Sequence, residues 1–121
     1  MHEEIHLPGD ASSARRARQF VDQVLHRWRR DGAIERMALI ASELVTNAIR
    51  HAGTDITVEL EAREASIYIE VVDRGDGRPV FLDPDPETPG GLGLPIVEAL
   101  ASSWGIRARD EAKGVWAEVP G

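Results

Sequence analysis

The stretch GGLGLPIVEAL, residues 90–100, begins with glycines and then continues with the spacing of a helix. Glycine is among the poorest helix formers, so a helix entered through Gly90, Gly91 and Gly93 needs a reason. A tight turn would supply one. A ligand that must approach the backbone would supply another, because a helix N-terminus offers free N–H groups and a dipole that favours phosphate. The rest of the chain decides between them.

Working outward, 121 residues are most simply one domain, 1–121, large enough for a modest core. With 42% hydrophobic and 29% charged residues, the composition is that of a globular chain rather than a disordered or fibrous one. No run approaches the roughly 20 apolar residues of a membrane span. The opening MHEEIHLPGD is acidic where a signal peptide is basic, so a cytoplasmic location without membrane contact is expected. The absence of cysteine excludes disulfides and thiolate metal sites. A net charge of −7 argues against direct nucleic-acid binding, which relies on cations against phosphate. Arg15, Arg16, Arg18, Arg27, Arg29, Arg30 and Arg36 nevertheless gather half of the 14 basic residues in one early segment.

EIHLP (4–8) reads as a short strand, and Ser12 or Ser13 can cap a following helix with Ala17, Phe20, Val21, Val24, Leu25 and Trp28 on one face, ended by Asp31-Gly32. A second helix is predicted from Ile34 to Ala52, stopped by Gly53. DITVELEA (55–62) and SIYIEVVD (66–73) alternate with period two and form a hairpin. Residues 74–90 read as loop, and a third helix spans Leu94 to Ser102, with Pro95 in its first turn. WGIRARD and GVWAEVP close the chain as a hairpin across EAKG. This β-α-α-β-β-loop-α-β-β order implies an α+β fold, a two-layer sandwich with helices on one face of a mostly antiparallel sheet.

On the second helix, Met37, Ala41, Leu44, Val45, Ala48 and Ile49 form an apolar face, and Glu43, Asn47 and Arg50 fall opposite within an arc of about 60°. The wet side of an amphipathic helix explains Glu43 and Arg50 individually. Asn47 is less routine, because asparagine competes with the helix for backbone hydrogen bonds. A carboxylate, an amide and a guanidinium in one row suit a proton acceptor, a Mg²⁺ ligand and a phosphate contact. Further on, the hairpin runs into DRGDG (73–77), an ordinary Asp/Gly turn on one reading. On the other, Asp73 accepts a hydrogen bond from an exocyclic amine while Gly75 and Gly77 let a flat ring approach. Such a carboxylate favours adenine over guanine. Each motif alone is weak, but Glu43/Asn47, DRGDG and GGLGL in this order are a specific set.

That set resembles the GHKL, or Bergerat-fold, ATPase superfamily with its histidine-kinase-like ATPase fold: ELVTNAIRHA is similar to the N-box, DRGDG to the first glycine box and GGLGLPIVEAL to the second. Within it, the chain most resembles the free-standing anti-sigma-factor serine/threonine kinases of bacterial partner-switching systems, over nearly its whole length. The resemblance implies a general base at Glu43, Mg²⁺ held by Asn47, and an adenine contact at Asp73 with Gly75 and Gly77 lining the pocket. It also implies phosphates bordered by Gly91, Leu92, Gly93 and Leu94, with help from Arg50 and one of Arg15, Arg16 or Arg18; a solvated helix face accounts for those three as well. His51 reads as structural. ATP and Mg²⁺ are the implied cofactors, a sigma factor and an anti-sigma-factor antagonist the implied partners, and a homodimer the implied assembly. Two departures stand out. Family members often carry a Thr before the last strand, near adenine, where this chain has Lys113-Gly114-Val115, and the lid DGRPVFLDPDPETPG is short, with Arg78 its one basic residue.

Two functions of different class follow. One is a kinase phosphorylating the antagonist. The other is a non-catalytic module that binds ATP and sequesters a sigma factor. A detached histidine-kinase catalytic domain ranks third, because no spare helical hairpin carries a phosphoacceptor histidine. A topoisomerase or chaperone would need further domains.

Overall fold

The computed structural model describes residues 1–74, 94–109 and 112–121. Strand β1 (His2–Leu7) leads into helix α1 (Ser12–Arg27), a 3₁₀ turn at Asp31–Ala33 and helix α2 (Ile34–Ala52). Strands β2 (Ile56–Ala62) and β3 (Ser66–Asp73), helix α3 (Leu94–Leu100) and strands β4 (Ser103–Arg109) and β5 (Ala112–Pro120) complete the chain. The sheet order is β1-β2-β3-β5-β4, with every neighbouring pair antiparallel. The expected two-layer α+β sandwich is thus the observed architecture.

Its core follows from period-two alternation. Ile56, Val58 and Leu60 of β2, Ile67, Ile69 and Val71 of β3, and Val115, Ala117 and Val119 of β5 point to the helix side and are buried. Against them pack Met37, Ile40, Ala41, Leu44 and Val45 of α2, and behind these Ala17, Val21, Val24 and Leu25 of α1. Each large aliphatic side chain so buried contributes about 1.5–3 kcal/mol. No helix among the described residues is long and apolar enough to cross a membrane.

Helix ends depart from expectation in instructive ways. Neither Ser12 nor Ser13 caps α1. Asp10 does the work, its carboxylate accepting from the Ser12 N–H at 2.9 Å, while the Ser13 hydroxyl donates to the Pro8 carbonyl. A hydrogen bond from the Ser12 hydroxyl, with the one from its N–H, holds the exposed Asp10 carboxyl below its usual range. α1 ends at Arg27, before Asp31-Gly32, in a Schellman arrangement: Arg29 takes φ 58°, Arg29 N–H donates to His26 O and Arg30 N–H to Leu25 O. α2 stops at Gly53 as predicted, in the left-handed region at φ 64°. α3 ends at Leu100, two residues early, and Ser102 N–H already donates to Glu118 O at 2.8 Å. Most consequential, β5 begins at Ala112, so Ala112 and Lys113, expected in the turn before a strand starting at Gly114, lie in the strand.

On the outer face of the sheet, Tyr68 stacks on Trp116 with centroids 5.8 Å apart, and the Arg63 guanidinium covers the tyrosine ring at 4.3 Å. Glu70 is buried there, taking a hydrogen bond from the Tyr68 hydroxyl. Its carboxylate lies over Gly114, where any Cβ would collide with it. At the edge of the sandwich the Pro8-Gly9 turn presses on the Gly53-Thr54 turn, and a Cβ on Gly9 would meet the Thr54 carbonyl. Replacing Gly9 with Ala is therefore expected to cost about 1–3 kcal/mol, read as a lower midpoint of urea unfolding at unchanged slope.

Candidate functional site

The helix-facing columns of β3 and β5 are apolar for three positions and then end in charge. Ile67, Ile69 and Val71 are opposite Val119, Ala117 and Val115, and the next pair in the same columns is Asp73 opposite Lys113. Both charged residues are 4% exposed, and Lys113 Nζ lies 3.6 Å from Asp73 Oδ2. The row continues outward as Ile56 and Leu7, both buried. Asp73 is thus a buried carboxylate on the inner side of the sheet, at the point where β3 leaves it.

α2 returns to this same end. Its last residue, Ala52, is followed by Gly53-Thr54-Asp55 and then Ile56, directly opposite Asp73. Asn47 lies five residues before the helix terminus, about 7–8 Å along the axis, and is 2% exposed. Among the described residues, neither its amide nitrogen nor its oxygen has a hydrogen-bond partner. An unmet buried polar group costs about 1–3 kcal/mol, and native proteins seldom tolerate one without a use. Of the predicted stripe, Glu43 is half-buried one turn earlier on α2 and Arg50 is exposed. The stripe therefore straddles the helix boundary, and Asn47 is on its covered side, not the wet one.

Helix α3 packs on α2 through the buried Val97, and Leu94 is its first residue. The other predicted phosphate and base-pocket positions, Gly75, Gly77, Gly91, Leu92 and Gly93, lie outside the described residues, as do Arg78 and the rest of the lid. Arg15, Arg16 and Arg18 are exposed on α1, with Arg18 donating to the Ser42 hydroxyl of α2 at 2.9 Å. The residue that sequence reasoning passed over is Lys113. Extending the β5 alternation back from Val115 by one period places a lysine at an inward position, and that was the available signal.

In chemical terms, this end of the sandwich offers a carboxylate with a lysine beside it on the sheet, and an unmet amide oxygen with a nearby carboxylate on the helix. The amide oxygen suits a hard cation, which takes oxygen ligands.

The model of the histidine kinase-like ATPase domain matches residues 7–118. Among solved structures, the RsbU and RsbW domains of Rv1364c from Mycobacterium tuberculosis share 21% identity at a TM-score of 0.75, over 98% of this chain and 32% of that one. The histidine kinase domain of the blue-light activated kinase EL346 from Erythrobacter litoralis shares 19% at 0.57, covering 90% of this chain and 59% of that one. The Acinetobacter baumannii histidine kinase AdeS shares 17% at 0.55, covering 99% and 67%. At these identities the likeness is one of fold, and the chain spans about a third of the first structure's length. No curated protein sequence matches the chain.

If Asn47 is kept for a ligand, the nucleotide-free chain gains nothing from its amide. Asn47→Leu, similar in volume, is expected to leave the thermal midpoint of the free protein unchanged or to raise it, by up to about 1–2 kcal/mol of stability. A drop would mean that the amide is structural.

Proposed function

We propose that this chain, which belongs to the histidine kinase-like ATPase domain family, acts through residues 1–121 as one ATP-binding domain that transfers the γ-phosphoryl group to a serine or threonine of a small partner protein. The observation that carries this reading is Asn47, a buried amide without a hydrogen-bond partner among the described residues, on the helix that returns to the sheet end where Asp73 is buried. The motif order Glu43/Asn47, Asp73 and Gly91–Leu94 supports it, as does the resemblance to anti-sigma-factor kinases. That resemblance also points to a sigma factor and its antagonist as partners, to a homodimer and to a cytoplasmic setting.

The residues present fit ATP with Mg²⁺. Asn47 Oδ1 is an uncharged oxygen ligand already stripped of water, suited to an ion that keeps its remaining positions for phosphate and water. When bound, the ion neutralises charge on the transferring phosphoryl group. Asp73 accepts from the exocyclic amine of adenine and sets the position of the base. Glu43, one helical turn from Asn47 and half-buried, accepts the proton of the acceptor hydroxyl as its oxygen bonds to the γ-phosphorus. The bond from that phosphorus to the β,γ-bridging oxygen breaks, and ADP leaves with the electron pair. Burial on α2 fixes the position of both side chains, and positioning is most of what phosphoryl transfer asks of a protein.

Incubation with γ-labelled ATP, Mg²⁺ and a candidate antagonist tests this. Label is expected on a serine or threonine of the partner. Glu43→Ala should lower transfer by about 10²–10⁴-fold while ATP affinity stays within a few-fold. Binding of ATP without transfer to any partner would instead support the sequestering module. Asp73→Asn, checked by thermal melting for integrity, is expected to weaken ATP binding at least tenfold in calorimetry, and unchanged affinity would remove Asp73 from the base pocket.

A further inference from the structure

The outer face of the sheet carries a second cluster that the phosphoryl transfer proposed above does not use. Side chains of β1 alternate, so His2, Glu4 and His6 share the outward side of this edge strand while Ile5 and Leu7 turn toward the helices. An edge strand needs polar outward residues, and lysine or threonine would serve. Here those positions hold two imidazoles and a carboxylate. The ladder sets Glu59 of β2 opposite Glu4, and Glu70 of β3 opposite Glu59, so three carboxylates lie in one row across three strands. Like charges directly opposite destabilise a sheet. Arg107 approaches Glu70 at 3.9 Å. Imidazoles stand beside the other two: His2 Nε2 is 3.8 Å from Glu59 Oε1, and His6 Nε2 is 3.9 Å from Glu4 Oε1. His2 reaches Glu59 diagonally, because Glu61, its direct partner in the register, is met by Arg63 at 3.2 Å.

His2, Glu4 and Glu59 each place one ligand atom within 4.8 Å of the other two. Zinc holds imidazole nitrogen and carboxylate oxygen at about 2.0–2.2 Å, which sets tetrahedral ligand atoms roughly 3.3–3.6 Å apart. Rotation of the exposed His2 and Glu4 side chains closes that difference. The backbone beneath them is already fixed, since Ala62 N–H donates to Met1 O at 2.9 Å and so carries the β1–β2 ladder past His2. We propose that His2, Glu4 and Glu59 bind one zinc ion that bridges β1 to β2, with water in its fourth position. An imidazole ligand suits zinc, whereas magnesium takes oxygen ligands and keeps its waters. The ion supplies the counter-charge that two facing carboxylates need and ties the edge strand to its neighbour. This site is on the face of the sheet opposite Asp73 and the helices, so it stands or falls independently of the nucleotide reading.

The test is titration calorimetry of the nucleotide-free chain, without an affinity tag, with zinc chloride in the presence of excess Mg²⁺. The wild type is compared with His2→Gln, Glu59→Gln and, as a control on α1, His26→Gln; thermal melts in EDTA confirm that each is folded. The wild type is expected to bind one zinc ion and to melt at a higher temperature with it. Outer-shell partners of a metal alone are worth about 10–100-fold, so loss of a ligand in His2→Gln or Glu59→Gln should weaken zinc by about tenfold or more. His26→Gln should leave the affinity unchanged. In nitrogen-edited NMR of the wild type, zinc should shift the ring nitrogens of His2 and leave those of His26 in place. No zinc binding at submillimolar concentration overturns the site. So does binding that neither ligand substitution weakens, or that leaves the His2 ring nitrogens unmoved.

Discussion

The antiparallel register between β3 and β5 is the constraint on which the rest of the structure depends. It aligns Ile67, Ile69 and Val71 with Val119, Ala117 and Val115, and so makes one continuous apolar floor for α2. Because side chains alternate with period two, a slip of one residue would turn that floor outward and bring Tyr68, Glu70 and Trp116 into the core. The same register delivers Asp73 and Lys113 together at the end of the floor. Core and candidate site are therefore products of a single pairing.

The outer face keeps that register from slipping. Glu70 is buried over Gly114, and the Trp116 ring lies against Gly105, so each large side chain on one strand meets a residue without a side chain on the next. The Tyr68 hydroxyl donates to Glu70, and burial with that contact raises the tyrosine pKa. At the far end, Ser66 and Arg63 hold the Glu118 carboxyl below its usual range. These contacts are specific to one alignment, whereas the aliphatic floor would accept several.

Much of this was legible from spacing. α2 ends where Gly53 said it should, the central hairpin has its predicted strands within a residue, and the element order implied the observed sandwich. What spacing could not reach depends on neighbours. Ser12 and Ser13 are sound capping residues, but Asp10 sits where its carboxylate meets the first N–H. A projection of α2 alone puts Asn47 with Glu43 and Arg50, and cannot know that tertiary packing covers it. Lys113 was read as part of the EAKG turn, yet it lies in β5, and the glycine after it serves the close approach of Glu70 from the next strand. Asp73 was found because a strand ended on it; its burial and its lysine were not, since both belong to β5. The predicted phosphate loop, residues 75–93, lies outside the described residues.

Two of the polar burdens among the described residues are Asn47 and the Asp73–Lys113 pair. An amide without a hydrogen-bond partner among the described residues and a buried ion pair each cost the fold something; the amide lies near the C-terminal end of α2 and the pair where β3 ends. The other described inward positions of β2, β3 and β5 are aliphatic. The arrangement is coherent if one ligand meets both, since a purine edge answers a donor–acceptor pair and a hydrated cation on phosphate answers a neutral oxygen. Neither group does for the other what a ligand would: Asn47 has no bond to the pair, and the pair gives Asn47 no partner. Local instability at a place where the rest of the core is well packed is how a small domain holds a binding site ready without unfolding to provide it.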